Sequence, residues 1–238
     1  MTVNHLRKHN GSIPFLPTQG ELNLIMILIV GDVHGRFDRL NSLINKKQPD
    51  MVLQMGDFGY WPNLNNRTKI KNGDTVVYFC DGNHEDHESL KILKNNEIEK
   101  NVFHMKRGST IDLPDGRTIL FMGGAHSFDW EFRTPGLDWF PELELVTESD
   151  LENLPDKKID IVISHTAPEE FYMSFPPKED PSRESLSYIL KKYKPKLWFF
   201  GHFHVYSTGF DSGCRWTALA DIESYFKHWA WLDSARIK

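Results

Sequence analysis

Apolar positions along the chain come in short runs, and run after run stops at polar residues, often with a glycine between. Ile27 to Val30 is continuously apolar and rich in β-branched residues, which predicts a strand buried on both faces, and Gly31 then frees the backbone to turn. Phe37, Leu40 and Ile44, with Leu43 beside them, recur at helical spacing until Gln48-Pro49, so a helix packed on a sheet follows. Met51 to Met55 predicts a second strand and Thr75 to Cys80 a third, joined by the polar, basic surface connection Trp61 to Asp74. A helix is expected from about His87 to Asn95. Phe103 to Met105 and Arg117 to Met122 predict two further strands, separated by the turn Leu113-Pro-Asp-Gly116.

The second half repeats the device. Ile159 to Ile163 predicts a strand, and Asp180-Pro181 caps and opens a helix whose Leu186, Ile189, Leu190 and Tyr193 recur at helical spacing until Pro195. Leu197 to Phe200 predicts the next strand, and Val205 to Phe210 with Arg215 to Leu219 a closing hairpin around Asp211-Ser-Gly213. The C-terminal aromatics Tyr225, Phe226, Trp229 and Trp231 read as core or a packing interface. No repeat and no linker interrupts residues 26–238, so a single domain of α/β type is expected. Residues 1–25 are polar, carry Gly11, Pro14, Pro17 and Gly20, and keep no period; they are expected to be a poorly ordered tail, with His5 and His9 solvated.

A chain of 238 residues buries a sizeable core without covalent staples. Cys80 and Cys214 are the only cysteines, which predicts no disulfide framework and a reducing, cytoplasmic setting. The longest apolar run, Leu24 to Val30, is too short to span a bilayer, so no membrane partner is expected. A formal charge of −5 argues against an extended nucleic-acid surface and hence against a nuclease, although bound divalent cations would reverse the sign locally. Oligomeric state is left open.

The chemistry collects where strands end. Asp32 and His34 follow the first strand, Asp57 the second, Asn83 and His84 the third; His165 follows Ile159 to Ile163, and His202 and His204 follow Leu197 to Phe200. Each has a bland reading: a Gly-Asp after a strand is usually a turn, and His-X-His can be two loop histidines. Five such loops gathering at one sheet edge are not independent accidents, since open α/β sheets place their sites beyond the carboxyl ends of strands. Carboxylate, imidazole and amide oxygen together suit Mn²⁺, Fe²⁺ or Zn²⁺ rather than calcium or a thiolate-bound structural zinc. The set exceeds one tetrahedral ion, and two metals about 3.5–4 Å apart sharing a carboxylate would use it.

Gly31-Asp-Val-His-Gly35, Gly56-Asp57, Gly82-Asn-His-Glu85, Ser164-His165 and Gly201-His-Phe-His204, in that order, resemble the calcineurin-like metallophosphoesterase superfamily. The resemblance implies two mixed β-sheets packed as a sandwich flanked by helices, with a dinuclear centre above the strand ends. It implies that Asp32, His34 and His204 hold one metal with Asp57, and that Asp57 bridges to a second held by Asn83, His165 and His202. The metals would be two divalent ions, Mn²⁺ first, with Fe, Zn or Ni as alternatives. A hydroxide bridging them would attack a phosphomonoester or phosphodiester, with His84 as general acid; Asp81 and Glu85 are its candidate orienting partners.

Departures from the superfamily narrow the substrate. Its protein Ser/Thr phosphatases carry an acid and an arginine soon after the second motif and an arginine before Gly-Asn-His-Glu; here Gly56-Asp-Phe-Gly-Tyr-Trp61 and Asp81 stand there. A protein phosphatase is therefore the alternative, a non-catalytic metal-binding module the lesser one, and a small phosphorylated compound, nucleotide-like, the expected substrate. Three residues are candidate substrate contacts. Arg36 offers a cation after the first motif; His126, after Ile119 to Met122, is either substrate-facing or structural. Arg133 lies in Phe128 to Phe140, which is either a lid that stacks a base and holds phosphate or a surface loop anchored by its aromatics.

Overall fold

The computed structural model describes residues 25–64, 68–173 and 180–232. The expected tail therefore lies, apart from residue 25, outside the described residues. Sheet one starts with three short apolar strands, β1 (Ile27–Val30), β2 (Met51–Gln54) and β3 (Val76–Phe79). It continues through β4 (Glu97–Glu99) and β5 (Val102–His104), and sheet two is built from β6 (Thr110–Asp112), β7 (Thr118–Met122), β8 (Ile161–Ser164), β9 (Leu197–Phe200), β10 (Ser207–Asp211) and β11 (Cys214–Ala218). The final strand β12 (Trp229–Trp231) returns to sheet one, giving the orders β12-β1-β2-β3-β5-β4 and β10-β11-β9-β8-β7-β6. Both sheets are mixed: β1, β2, β3 and β5 run parallel, as do β7, β8, β9 and β11, while edge strands pair antiparallel.

Alternation along each strand builds the layers, because successive side chains point to opposite sheet faces. Ile27 and Ile29 join Met51, Leu53, Ile161, Ile163 and Phe199 in the core between the sheets. Leu28 and Val30 point the other way, against Phe37, Leu40, Leu43 and Ile44 of α1 (Phe37–Lys47). On the far side Trp198 and Phe200 pack with Phe171 and with Leu186, Ile189 and Leu190 of α4 (Pro181–Tyr193); the short α2 (His87–Lys91) and α3 (Glu148–Glu152) lie between in sequence. The result is the sandwich of two mixed sheets flanked by helices. Asp180 caps α4 by accepting from the Ser182 N–H, and Pro181 opens it.

Three expectations need correction. The helix after His87 stops at Lys91 rather than reaching Asn95, because Ile92 is exposed and offers no apolar anchor to continue it, and the chain turns into β4 to pair with β5. The turn at Leu113–Gly116 does lie between the two strands named, but it joins β7 to an unforeseen strand, β6, while β5 belongs to the other sheet. Tyr225 and Phe226 are exposed rather than core, whereas Trp229 and Trp231 are half-buried in β12. Among the described residues no helix is long and apolar enough to cross a membrane.

Candidate metal centre

The carboxyl ends of β1, β2 and β3 and of β8 and β9 point to the same edge of the sandwich, so the loops that follow them meet. His204 Nε2 lies 3.2 Å from Asp32 Oδ2 and 3.1 Å from His34 Nε2, and His34 Nε2 is 3.7 Å from Asp57 Oδ2. One ligand atom from each of Asp32, His34, Asp57 and His204 falls within 4.8 Å of the others. The opposite oxygen of Asp57 lies 3.3 Å from His165 Nε2, which is itself 3.0 Å from Asn83 Oδ1. The His202 ring sits 4.9 Å from the His165 ring. Asp57 thus stands between two groups of ligand-type side chains.

Backbone geometry marks the same place. His34, Asp57, His202 and His204 all have positive φ, between 47° and 67°, a region that non-glycine residues seldom occupy and that clusters at functional sites. Two glycines let the loops close. A Cβ on Gly201 would lie 1.9 Å from Asp32 Oδ1, and one on Gly82 would lie 2.1 Å from Asp57 Oδ1. Asp32 is further fixed by accepting from the His202 N–H at 2.9 Å, and Asp57 by accepting from the His84 N–H at 2.7 Å.

The residues fit a pair of divalent cations. His165 donates Nδ1–H to the Met55 carbonyl at 2.8 Å, which leaves Nε2 to serve the centre, the arrangement that fixes an imidazole as a metal ligand. His202 Nε2 is buried with no hydrogen-bond partner among the described residues. Burial opposes a charged Asp57, but His165, His34 and His84 hold its carboxyl well below the usual range. Burial likewise opposes a charged His165, yet Asp57 and Asp32 push it up to about 10, so a proton on Nε2 occupies the place that suits a cation. Burial, aided by His165, holds His202 well below the ordinary imidazole range.

A second layer holds the ligands, and sequence reasoning missed most of it. Asn83 donates Nδ2–H to Ser127 Oγ at 3.1 Å, turning its carbonyl oxygen toward His165; Ser127 in turn donates from Oγ and from its backbone to Glu144, each at 3.0 Å. Glu85 does not orient His84: its carboxylate accepts the backbone N–H groups of Phe58, Gly59 and Tyr60 at 2.6, 3.1 and 2.6 Å, clamping the loop after Asp57. Asp81 does not either, being held by Arg107 Nη2 at 2.7 Å and by His104 Nε2 at 3.3 Å. The carboxylate beside His84 is Asp129, with Oδ2 3.8 Å from Nε2.

Two of the three candidate substrate contacts are engaged with groups of the chain itself. Arg36 pairs with Asp38 at 3.2 Å and with Glu223. The Arg133 side chain is 5% exposed; it donates to the Asn83 carbonyl at 3.0 Å and to Ser127 Oγ and the Asp138 carbonyl, with Glu144 Oε2 3.8 Å away. It ties the loop to Asn83 rather than reaching solvent. His126 is half-buried, its ring 6.3 Å from Phe128.

A model of the calcineurin-like phosphoesterases matches residues 25–206, from the first strand through the last ligand loop. The chain belongs to this family. The chain superposes on a solved crystal structure 14% identical to it, with a TM-score of 0.55 over 90% of this chain and 97% of that one. It also superposes on the crystal structure of TT1561 of Thermus thermophilus, 10% identical, with a TM-score of 0.50 over 84% of this chain and 91% of that one. No curated relative matches the chain. At such identities the likeness is one of fold.

Proposed function

We propose that the protein hydrolyses phosphate esters of small, nucleotide-like compounds with two divalent cations, and that His84 protonates the departing oxygen. The observation that carries this reading is the position of Asp57: one oxygen faces His34 and the Asp32–His204 pair, the other faces His165 and Asn83. Asp32, His34, His204 and Asp57 would hold one cation, and Asp57, Asn83, His165 and His202 the other. When bound, such a pair activates water as a nucleophile and neutralises the phosphoryl oxygens. The mix of imidazole, carboxylate and amide oxygen favours Mn²⁺, with Fe, Zn or Ni able to substitute.

The chain's own groups do the rest. His84 is half-exposed, its ring 5.2 Å from that of His34, so its Nε2 reaches the mouth of the centre without entering the ligand set. Asp129 Oδ2 lies 3.8 Å from that nitrogen, and its charge favours the protonated ring that a general acid requires. Burial lowers the His84 pKa, and Asp57 and Asp129 pull against it. The missing arginines before Gly82 and after Asp57 disfavour a phosphoprotein, and Asp81 at the first of these places is committed to Arg107. A reducing, cytoplasmic setting is supported by Cys80 and Cys214, both free and buried.

The test is hydrolysis of p-nitrophenyl phosphate and bis-p-nitrophenyl phosphate by Mn²⁺-loaded protein, beside Asp57→Asn and His84→Ala. Metal-dependent turnover that collapses in Asp57→Asn is expected, His84→Ala is expected to lose more on an alkyl phosphate than on these nitrophenyl esters, and the ratio of the two nitrophenyl rates sorts monoesterase from diesterase. Two tightly bound metals with no turnover of either ester under Mn²⁺, Fe²⁺, Zn²⁺ or Ni²⁺ would turn the reading toward a binding module.

A further inference from the structure

Phe128 lies on the loop after β7, next to the residue that meets His84. Its ring centroid is 4.6 Å from that of His202 at an interplanar angle of 37°, and 6.5 Å from Phe203. The residue is nevertheless 36% exposed. One side of the ring therefore covers a metal-ligand imidazole while the rest borders solvent. Phe132, on the same segment, is 89% exposed and shares no such contact with a ligand imidazole among the described residues, so exposure alone does not single out Phe128.

The segment carrying Phe128 is anchored, not loose. Arg133 ties it to the Asn83 carbonyl at 3.0 Å, Trp139 donates Nε1–H to Glu144 at 3.1 Å, and the Trp130 and Trp139 rings pack 5.5 Å apart. A ring held in place before the ligand arrives loses little conformational freedom on binding, which is the condition for an aromatic side chain to act as a recognition surface. Its neighbour Asp129 has Oδ2 3.8 Å from His84 Nε2, so whatever is attached to the oxygen that His84 serves must pass alongside this pair of residues.

We propose that the Phe128 ring, tilted against His202, is the wall of the leaving-group subsite and selects phosphate esters whose alcohol carries a flat aromatic ring. The proposal rests on the phosphoesterase reading for the direction in which the leaving group departs. Stacking on such a wall adds to simple apolar contact and depends on the ring being flat. A nucleoside and a benzylic alcohol share that chemistry, and a saturated ring of the same size does not.

The experiment compares benzyl phosphate with cyclohexylmethyl phosphate, two esters matched in size and close in the acidity of the alcohol, so that His84 is called on about equally. The kcat/KM ratio favours benzyl phosphate by about tenfold, Phe128→Leu removes most of that preference, and Phe128→Trp restores it. Leucine keeps apolar cover over His202, so a lost ratio is not a lost fold. Calorimetry with benzylphosphonate and cyclohexylmethylphosphonate, whose C–P bond is not hydrolysed, reads the same wall without turnover. A phosphonate preference that depends on Phe128, found in protein that cleaves neither ester, sustains the wall and removes the hydrolase reading. Equal affinities for the two phosphonates, or a preference that Phe128→Leu leaves in place, overturns the wall.

Discussion

His84 Nε2 and Asp129 Oδ2 lie 3.8 Å apart, joining the loop after β3 in one sheet to the loop after β7 in the other. The charge that faces the candidate general acid's Nε2 therefore comes from across the sandwich, and neither nearby acid in the sequence faces it. Asp81 and Glu85 are consumed in holding Arg107 and the backbone of Phe58 to Tyr60.

That pairing separates two kinds of ester. Removing a positioned acid typically slows a reaction by about 10²–10⁴, and His84→Ala is expected to fall in that range with its metals retained. Asp129→Asn keeps the ring but loses a charge that favours its protonated form, and a loss of about tenfold is expected on alkyl esters, whose alkoxide leaves poorly without a proton. p-Nitrophenyl phosphate needs little protonation and loses less. A plot of rate against leaving-group acidity is therefore steeper in Asp129→Asn than in the wild type; parallel plots would remove Asp129 from this role.

Gly201 offers a test of the metal centre that alters no ligand. A methyl group there would lie 1.9 Å from Asp32 Oδ1, while the same carboxylate accepts the His202 N–H at 2.9 and 3.2 Å. Gly201→Ala must displace Asp32 or the loop carrying His202 and His204. Changes to groups that orient ligands typically lower metal affinity by about 10–100-fold, and a loss of that size is expected by competition with a chelator. Unaltered affinity in the variant would mean that neither Asp32 nor the His202–His204 loop holds the metal in the arrangement proposed.

The ligand loops were legible in the sequence because a strand buried on both faces has few polar positions, so Asp32, Asp57, Asn83, His165, His202 and His204 stand out where the apolar runs end. Helices α1 and α4 were legible for a similar reason, since their buried residues recur with the helical period and prolines stand at their ends. β4 and β6 were not, because each sets one isoleucine between polar residues and offers no apolar run, and β12 was not, because its aromatics read equally as packing. Ser127, Glu144, Arg107 and Asp129 escaped because each acts through a partner remote in sequence, and no local spacing encodes such a meeting. Arg133 carried an ambiguous signal, since an arginine among aromatics reads as a phosphate contact or as part of an anchored loop, and its bonds to the Asn83 and Asp138 carbonyls depend on residues that local spacing does not reveal.

His87 sets an acid limit on stability that is separate from the metal centre. It is 5% exposed, its Nε2 has no hydrogen-bond partner among the described residues, and its ring stands 5.8 Å from Phe140. Burial pushes its pKa down to about 4; Arg107 and His104 act in the same direction, and Asp81 and Asp57 act against it. Above the ordinary imidazole value of about 6.5 the ring is neutral in both folded and unfolded chains, and its contribution is fully present. As the pH falls from there toward 4, the unfolded chain takes up a proton that the folded chain refuses, so stability declines, by up to about 3 kcal/mol at the lower end. Below that pH the loss from this group is complete. Urea unfolding midpoints of the wild type should fall more steeply between pH 6.5 and 4 than those of His87→Leu, which has no proton to take up, whereas the two should run parallel from pH 7 to 8. Identical slopes across the acid interval would mean that the folded chain accommodates the charged ring, and that the buried Nε2 is not the reason for the decline.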